Sequence, residues 1–158
     1  MELSTKGRYA VMAMVDLAKQ GGEARSVSLS DIAARQEISQ SYLEQLFARL
    51  RRAGLVVSAR GPGGGYRLSR PASQIGVGDI MRAVEEPLRV TRCDAQVRAG
   101  CLAGERRCAT HDLWDELSRH IAMFLGAVSI ADVVDRRVAG RAFLPVGADV
   151  AAARTAAQ

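Results

Sequence analysis

Residues 39–70, SQSYLEQLFARLRRAGLVVSARGPGGGYRLSR, read as a helix, a turn and a hairpin in unbroken succession, and that order decides the fold. Ser39 is a natural N-cap, because its hydroxyl can take one of the backbone N–H groups that a first helical turn leaves unpaired. Leu43, Leu46, Phe47 and Leu50 then recur at i, i+3, i+4 and i+7, the spacing of one helix face, and Gly54 stands on the C-cap side. That face must turn toward a core, so Ser41, Glu44, Gln45, Ala48 and Arg52 look outward. The outward face is short and polar near its start and basic near its end. A helix that reads DNA needs this distribution, with its first residues at base edges and flanking cations at phosphates.

After Gly54, Leu55 to Arg60 reads as a strand, Gly61-Pro62-Gly63-Gly64-Gly65 as a turn, and Tyr66 to Ser69 as a returning strand. Glycine-rich loops also cradle phosphate in nucleotide-binding enzymes, but those loops open a helix, and the P-loop form carries Gly-Lys-Ser/Thr. Here strand follows strand. The hairpin is therefore read as a wing whose glycines let the backbone approach a duplex while Arg60 or Arg67 enters a minor groove or grips phosphate. An ordinary surface hairpin is the alternative.

Upstream, Ser4 can cap a helix to about Gln20, with Tyr9, Met12, Ala13 and Leu17 as its apolar stripe and Gly21-Gly22 as its end. A short helix follows near Ser30 to Gln36. The charge is divided unevenly around these elements: Met1 to Arg70 hold 11 Lys/Arg against 6 Asp/Glu, whereas Pro71 to Gln158 hold 11 of each. The surplus of +5 thus sits in the first segment, and residues 49–70 contain no acid. Such a surface suits a polyanion, because each neutralised phosphate releases counterions, although charge alone does not separate it from a solvated basic face.

Downstream, Val77 to Glu86 reads as a helix with Ile80, Met81 and Val84 apolar, stopped by Pro87. Thr110 to Ala127 reads as a longer one presenting Leu113, Leu117, Ile121, Phe124 and Val128, close to a coiled-coil seam. The expected partner of that seam is the same helix of a second subunit, whose two-fold symmetry would match a palindromic operator; packing on its own N-terminal module is the alternative. A short helix from Ser129 to about Arg137 follows, then an alanine-rich, loosely ordered tail from Val138 to Gln158. The expected organisation is a winged-helix module with its packed helix over 1–86, a cysteine loop over 87–109, a dimerisation helix and short helix over 110–137, and the tail over 138–158.

The chain's three cysteines all fall in the loop, as C-x7-C-x6-C-x2-H through Cys93, Cys101, Cys108 and His111. An odd, clustered set does not make a structural disulfide framework. The paired C-x2-C ligands of a zinc knuckle are missing, though a Cys3His zinc site is chemically possible. Three thiolates and an imidazole also suit an iron-sulfur centre, and reactive thiols forming a disulfide switch are the third reading. His111 taken alone would be a solvated residue near a helix start, and only its spacing from Cys108 lifts it; His120 has no such partner and reads as structural or exposed. Trp114 reads most simply as core packing, with shielding of a cluster from water as the alternative. Outside the loop no nucleophile and base are arranged for catalysis, so an enzyme is not expected. No segment has the length and apolarity of a membrane span, the early charges rule out a signal-peptide core, and a cytoplasmic protein without membrane partners is expected.

Three segments, Ser4-Thr5-Lys6-Gly7-Arg8-Tyr9-Ala10, Ile38 to Phe47 and Arg60 to Tyr66, resemble the family of iron-sulfur cluster regulators typified by IscR, and the likeness extends over roughly residues 1–137. The resemblance implies a fold that is mostly α with a small β-hairpin wing (α+β), a winged helix-turn-helix with a long dimerisation helix. It implies a homodimer that binds double-stranded operator DNA and controls cluster-assembly genes, repressing or activating them according to whether it holds a 2Fe-2S cluster. Iron-sulfur assembly proteins and RNA polymerase are the further partners it brings. In that family the residues matching Ser41, Glu44, Gln45 and Arg60 face DNA, and the acid matching Glu44 is held to discriminate between two operator classes. A carboxylate can accept from a cytosine amino group while phosphate repels it, which gives that role a physical basis. With Lys6, Arg8, Ser39, Tyr42, Arg49, Gly61, Gly63 and Gly64 from the same segments, these residues form the expected DNA-contacting set. Cys93, Cys101, Cys108 and His111 are the ligands the resemblance implies. The gaps between the cysteines exceed those of the best-known members by about two residues and one, and related three-cysteine regulators hold 4Fe-4S, so 4Fe-4S stands as the second choice of cluster. A thiol-disulfide switch or zinc-stabilised repressor remains the alternative function.

Overall fold

In a computed structural model of the chain, which describes residues 4–86, 101–102 and 106–138, the elements run α1 (Thr5–Gln20), α2 (Leu29–Gln36), α3 (Gln40–Arg52), β1 (Val56–Ala59), β2 (Gly65–Leu68), a 3-10 turn (Ala72–Gln74), α4 (Val77–Ala83), α5 (His111–Ala127) and α6 (Ile130–Val134). This is the mostly helical winged-helix architecture expected, with one two-stranded antiparallel hairpin among the described residues. Ser39 caps α3 as its sequence predicts, its Oγ accepting the Tyr42 N–H at 3.3 Å. Leu43, Leu46, Phe47 and Leu50 are all buried in the core with Ile32, Val56, Leu68, Ile75, Ile80 and Ile130.

The stripe of α1 is turned relative to its sequence reading. Ala10, Ala13, Met14 and Leu17 are fully buried, while Tyr9 and Met12 lie half-buried at the edge. The reason is that α1 runs through the middle of the fold and packs against α2, α3, α4, β2 and α6, so it buries a broader arc than a single stripe. Asp16 lies on that arc, also buried. It accepts three hydrogen bonds from the Arg35 guanidinium, at 2.7 to 3.1 Å, and one from Gln36 at 3.0 Å, which fastens α1 to α2.

In the hairpin Val56 pairs with Leu68 and Ala59 with Gly65, and Tyr66 exchanges two 2.8 Å backbone bonds with Val27, which ties the wing to the loop before α2. Gly65 has φ +146°, and a Cβ there would lie 2.3 Å from the Val27 carbonyl, so that junction admits glycine alone.

The helix read over Val77 to Glu86 is shorter than expected. It stops at Ala83; Glu85 takes φ +57°, its N–H bonding Arg82 O while that of Glu86 bonds Met81 O, a left-handed helix end of the Schellman type that frees the Glu86 side chain. The far end of α5 is tied to the start of α4 by Val77 N–H to Val128 O, 2.8 Å, and Ile130 N–H to Ile75 O, 2.9 Å, and α6 then packs on α1. Along α5 Ile121 and Phe124 are half-buried and Leu113, Leu117 and Met123 are exposed, and Val128, just past its end, is buried. Trp114 is not core packing: it is half-buried on α5, its indole N–H donating to Thr110 Oγ1 at 3.1 Å. The tail read from Val138 onward lies outside the described residues beyond 138. No described helix is long and apolar enough to cross a membrane.

Candidate nucleic-acid interface and metal centre

Because α3 buries its apolar face completely, its opposite face is fixed in place. Ser41, Glu44, Gln45 and Arg52 are exposed on it, Ala48 is half-buried, and Glu44 accepts a 3.2 Å bond from Gln40 one turn earlier. Arg60 is exposed at the base of the wing tip, whose turn is closed by Gly64 N–H to Gly61 O at 2.8 Å; Gly61 and Gly63 are exposed there at positive φ and Gly64 is half-buried. Arg8 is exposed with its guanidinium 5.9 Å from the Tyr9 ring centre, and Tyr9 meets the half-buried Tyr42 edge to face at 6.2 Å. The Ser39 hydroxyl is committed to its cap.

Two cations of the expected DNA set are engaged by Glu85 of the same chain. Arg49 forms an ion pair with the Glu85 carboxylate, and Lys6 donates to the Glu85 carbonyl at 2.9 Å. Beside them Glu86 is buried. It accepts the Ser4 N–H at 2.9 Å and the Ser4 hydroxyl, so Ser4 stands at the N-cap position but its side chain does not cap; the carboxylate of Glu86 sits at the positive end of α1 in its stead. Burial pushes this carboxyl up, yet the two bonds from Ser4, the Lys6 charge and the Gly7 N–H outweigh it and hold Glu86 below the usual carboxylate range. A Cβ on Gly7 would come within 2.8 Å of Glu86 Cγ, which explains a glycine in the first turn of a helix. Sequence reading missed Glu85 and Glu86, since two adjacent acids at a helix end carry no local sign of a partner about eighty residues away.

Of the four expected ligands, Cys93 lies outside the described residues. Cys101 and His111 are together, with Cys101 Sγ 3.1 Å from His111 Nδ1, and the Cys108 N–H donates to Cys101 Sγ at 3.3 Å. The Cys108 thiol lies 3.7 Å from Thr110 Oγ1, and no three ligand-type side chains converge among the described residues. His111 is buried, contrary to the solvated position its sequence context alone would give it, and its Nε2 has no hydrogen-bond partner among the described residues. A buried imidazole nitrogen without a partner costs stability unless something else takes it up. His120 is exposed and bound to Glu116 at 3.0 Å, in keeping with a surface role.

Residues 3–136 match the family model of Rrf2, described as an iron-dependent transcriptional regulator. The chain is 52% identical over 137 residues to the HTH-type transcriptional regulator IscR of Serratia proteamaculans, covering 87% of this chain and 81% of that one. Among solved structures it resembles T. potens IscR, with a TM-score of 0.70 and 41% identity over 87% of this chain and 88% of the other. It also resembles CymR, the global cysteine regulator of B. subtilis, with a TM-score of 0.71 and 34% identity over 86% and 98%.

Proposed function

The chain belongs to the Rrf2 family of iron-dependent transcriptional regulators, and from that premise we propose that it binds operator DNA as a homodimer and changes operator choice with occupancy of an iron-sulfur cluster. It is an IscR-like transcription regulator and not an enzyme. The observation that carries the DNA reading is the pairing of an α3 whose polar residues Ser41, Glu44 and Gln45 are exposed with a glycine-tipped wing carrying exposed Arg60. In this reading α3 enters the major groove, Glu44 discriminates among bases and Arg60 contacts phosphate or the minor groove. A symmetric pair of chains supplies two such helices for the two halves of a palindrome, and the exposed Leu113, Leu117 and Met123 of α5 form the seam between them.

The cysteine segment fits a cluster on one observation: the buried Nε2 of His111 has no partner among the described residues, and a metal ion would satisfy it. Cys93, Cys101, Cys108 and His111 would hold it, as 2Fe-2S. When bound, such a cluster supplies a redox-active, iron-dependent constraint whose net negative charge is lowered by the neutral histidine. The chain's own part is to keep His111 dry at the start of α5 and to connect the segment, through Glu85 and Glu86, to α1 and α3.

The test is to purify the protein without oxygen, count iron, sulfide and zinc per chain, and compare operator binding with and without the iron, using Cys108→Ala as control. About two iron and two sulfide per chain, with different operator preferences for the two forms, is the expected result. About four of each keeps the regulator and changes the cluster. A colourless protein whose DNA binding is lost on forming a disulfide moves the chain to the thiol-switch reading.

A further inference from the structure

The reading as a DNA-binding protein leaves one cluster of charges unexplained. Lys6 of α1 and Arg49 of α3, both placed in the DNA-contacting set, bond at the surface to the same residue, Glu85, Lys6 to its carbonyl and Arg49 to its carboxylate. Arg49 is the first of three arginines in the last turn of α3; Arg51 and Arg52 are exposed, Arg51 bonded to Ser58 Oγ at 3.4 Å, whereas Arg49 is half-buried and paired with a carboxylate. An exposed carboxylate would not hold an arginine for long by itself. Glu85, however, is fixed on both sides, by its left-handed turn at the end of α4 and by the next residue, Glu86, whose buried carboxylate is locked to Ser4. The backbone therefore presents Glu85 to Arg49 whether or not their ion pair contributes anything.

A guanidinium binds carboxylate and phosphate through the same fork of N–H donors. We propose that Glu85 is an internal stand-in for DNA phosphate, which occupies Arg49 in the free protein and must give it up when α3 engages a duplex. Glu85 thereby sets the affinity for DNA in general without touching a base. This inference rests on the DNA-binding reading of α3 and not on the identity of any cluster.

The experiment measures binding of a short random-sequence duplex across a series of salt concentrations for wild type, Glu85→Gln, Arg49→Gln and the double variant, with a thermal melt of each to confirm the fold. Glu85→Gln is expected to tighten binding about two- to fivefold, the worth of an exposed pair, and to steepen the slope of log affinity against log salt by up to about 0.9, one more phosphate contact. Arg49→Gln should weaken binding, and the double variant should match Arg49→Gln alone, because without the arginine there is nothing to release. If Glu85→Gln tightens binding equally with and without Arg49, it has merely removed a negative charge from the surface and the stand-in role is wrong. Unchanged or weaker binding by Glu85→Gln overturns it as well. A wild-type chain that binds no duplex even at low salt would instead overturn the DNA-binding reading itself.

Discussion

Helices α3 and α5 are written in the same apolar periodicity and end in opposite states. In α3 the residues Leu43, Phe47 and Leu50 are 0% exposed, whereas in α5 Leu113 is 60% exposed, Leu117 38% and Met123 56%. The difference teaches that periodicity specifies that a face is to be covered but not by what. For α3 the cover lies in the same chain, in α1, α2, β1 and α4. For the middle of α5 the described residues supply no such cover: its last turn is tied beside α4 and its first residue, His111, to the cysteine segment, while Leu113, Leu117 and Met123 between them stay exposed. The first region therefore carries the stability of a single chain, and in the proposed dimer the second supplies the face through which two chains associate.

The sharpest way to break this contrast is to hollow out each helix. Phe47→Ala removes a fully buried ring packed on Tyr66 at 4.9 Å, and should cost about 3–5 kcal/mol of unfolding free energy in urea titration. Leu117→Glu on α5 should leave that transition of the N-terminal module nearly unchanged while abolishing the dimer by sedimentation velocity, since a charge in an apolar seam is left buried and unpaired. A Leu117→Glu chain that stays dimeric would mean that α5 is not the seam.

How much was legible follows from the same distinction. Where a face is closed by neighbours close in sequence, pattern was enough: α3, its Ser39 cap and the hairpin lie within a residue or two of their reading. Where the partner is remote, pattern failed. The breadth of the α1 face and the use of Ser4 by Glu86 depend on contacts between residues far apart, and neither leaves a local signature. For the metal centre, spacing singled out His111, but its burial against Cys101 needed coordinates. Trp114 went wrong because a large apolar residue at helical spacing was assigned to a core, whereas the folded chain leaves it half-buried.

The join between the two regions gives an intermediate effect. Glu86 is held below its ordinary value in the folded chain, so the stability it contributes is fully present above about pH 4.3, the usual glutamate value, and is lost as pH falls through the lower folded value. Glu86→Gln should cost about 1.5–3 kcal/mol near neutrality, the worth of charge-assisted hydrogen bonds. The gap between the two melting curves should close as the pH is taken below that window. A gap that persists unchanged into strong acid would mean that Glu86 acts through packing on Gly7 and not through its charge.

The smallest effect separates the two helices at their first residue. Ser39 spends its hydroxyl on the Tyr42 N–H, but Thr110, at the same position before α5, makes no side-chain cap; its Oγ1 faces the Trp114 indole and the Cys108 thiol. Ser39→Ala should therefore lose about 1 kcal/mol of global stability by calorimetry, as for a typical cap. Thr110→Ala should move the melt by less than about 0.5 kcal/mol, the range of a surface substitution, and should instead shift the Trp114 fluorescence, because it removes that indole's acceptor. Equal losses from the two substitutions would show that α5 starts as α3 does, held by its own cap. The predicted inequality means that the start of α5 is held by the cysteine segment instead, through Cys108 O accepting the His111 N–H at 3.0 Å and Cys101 against the His111 ring. On that account the first turn of α5, the proposed association helix, depends on the state of the cysteines, while α3, the proposed DNA-reading helix, begins independently of them.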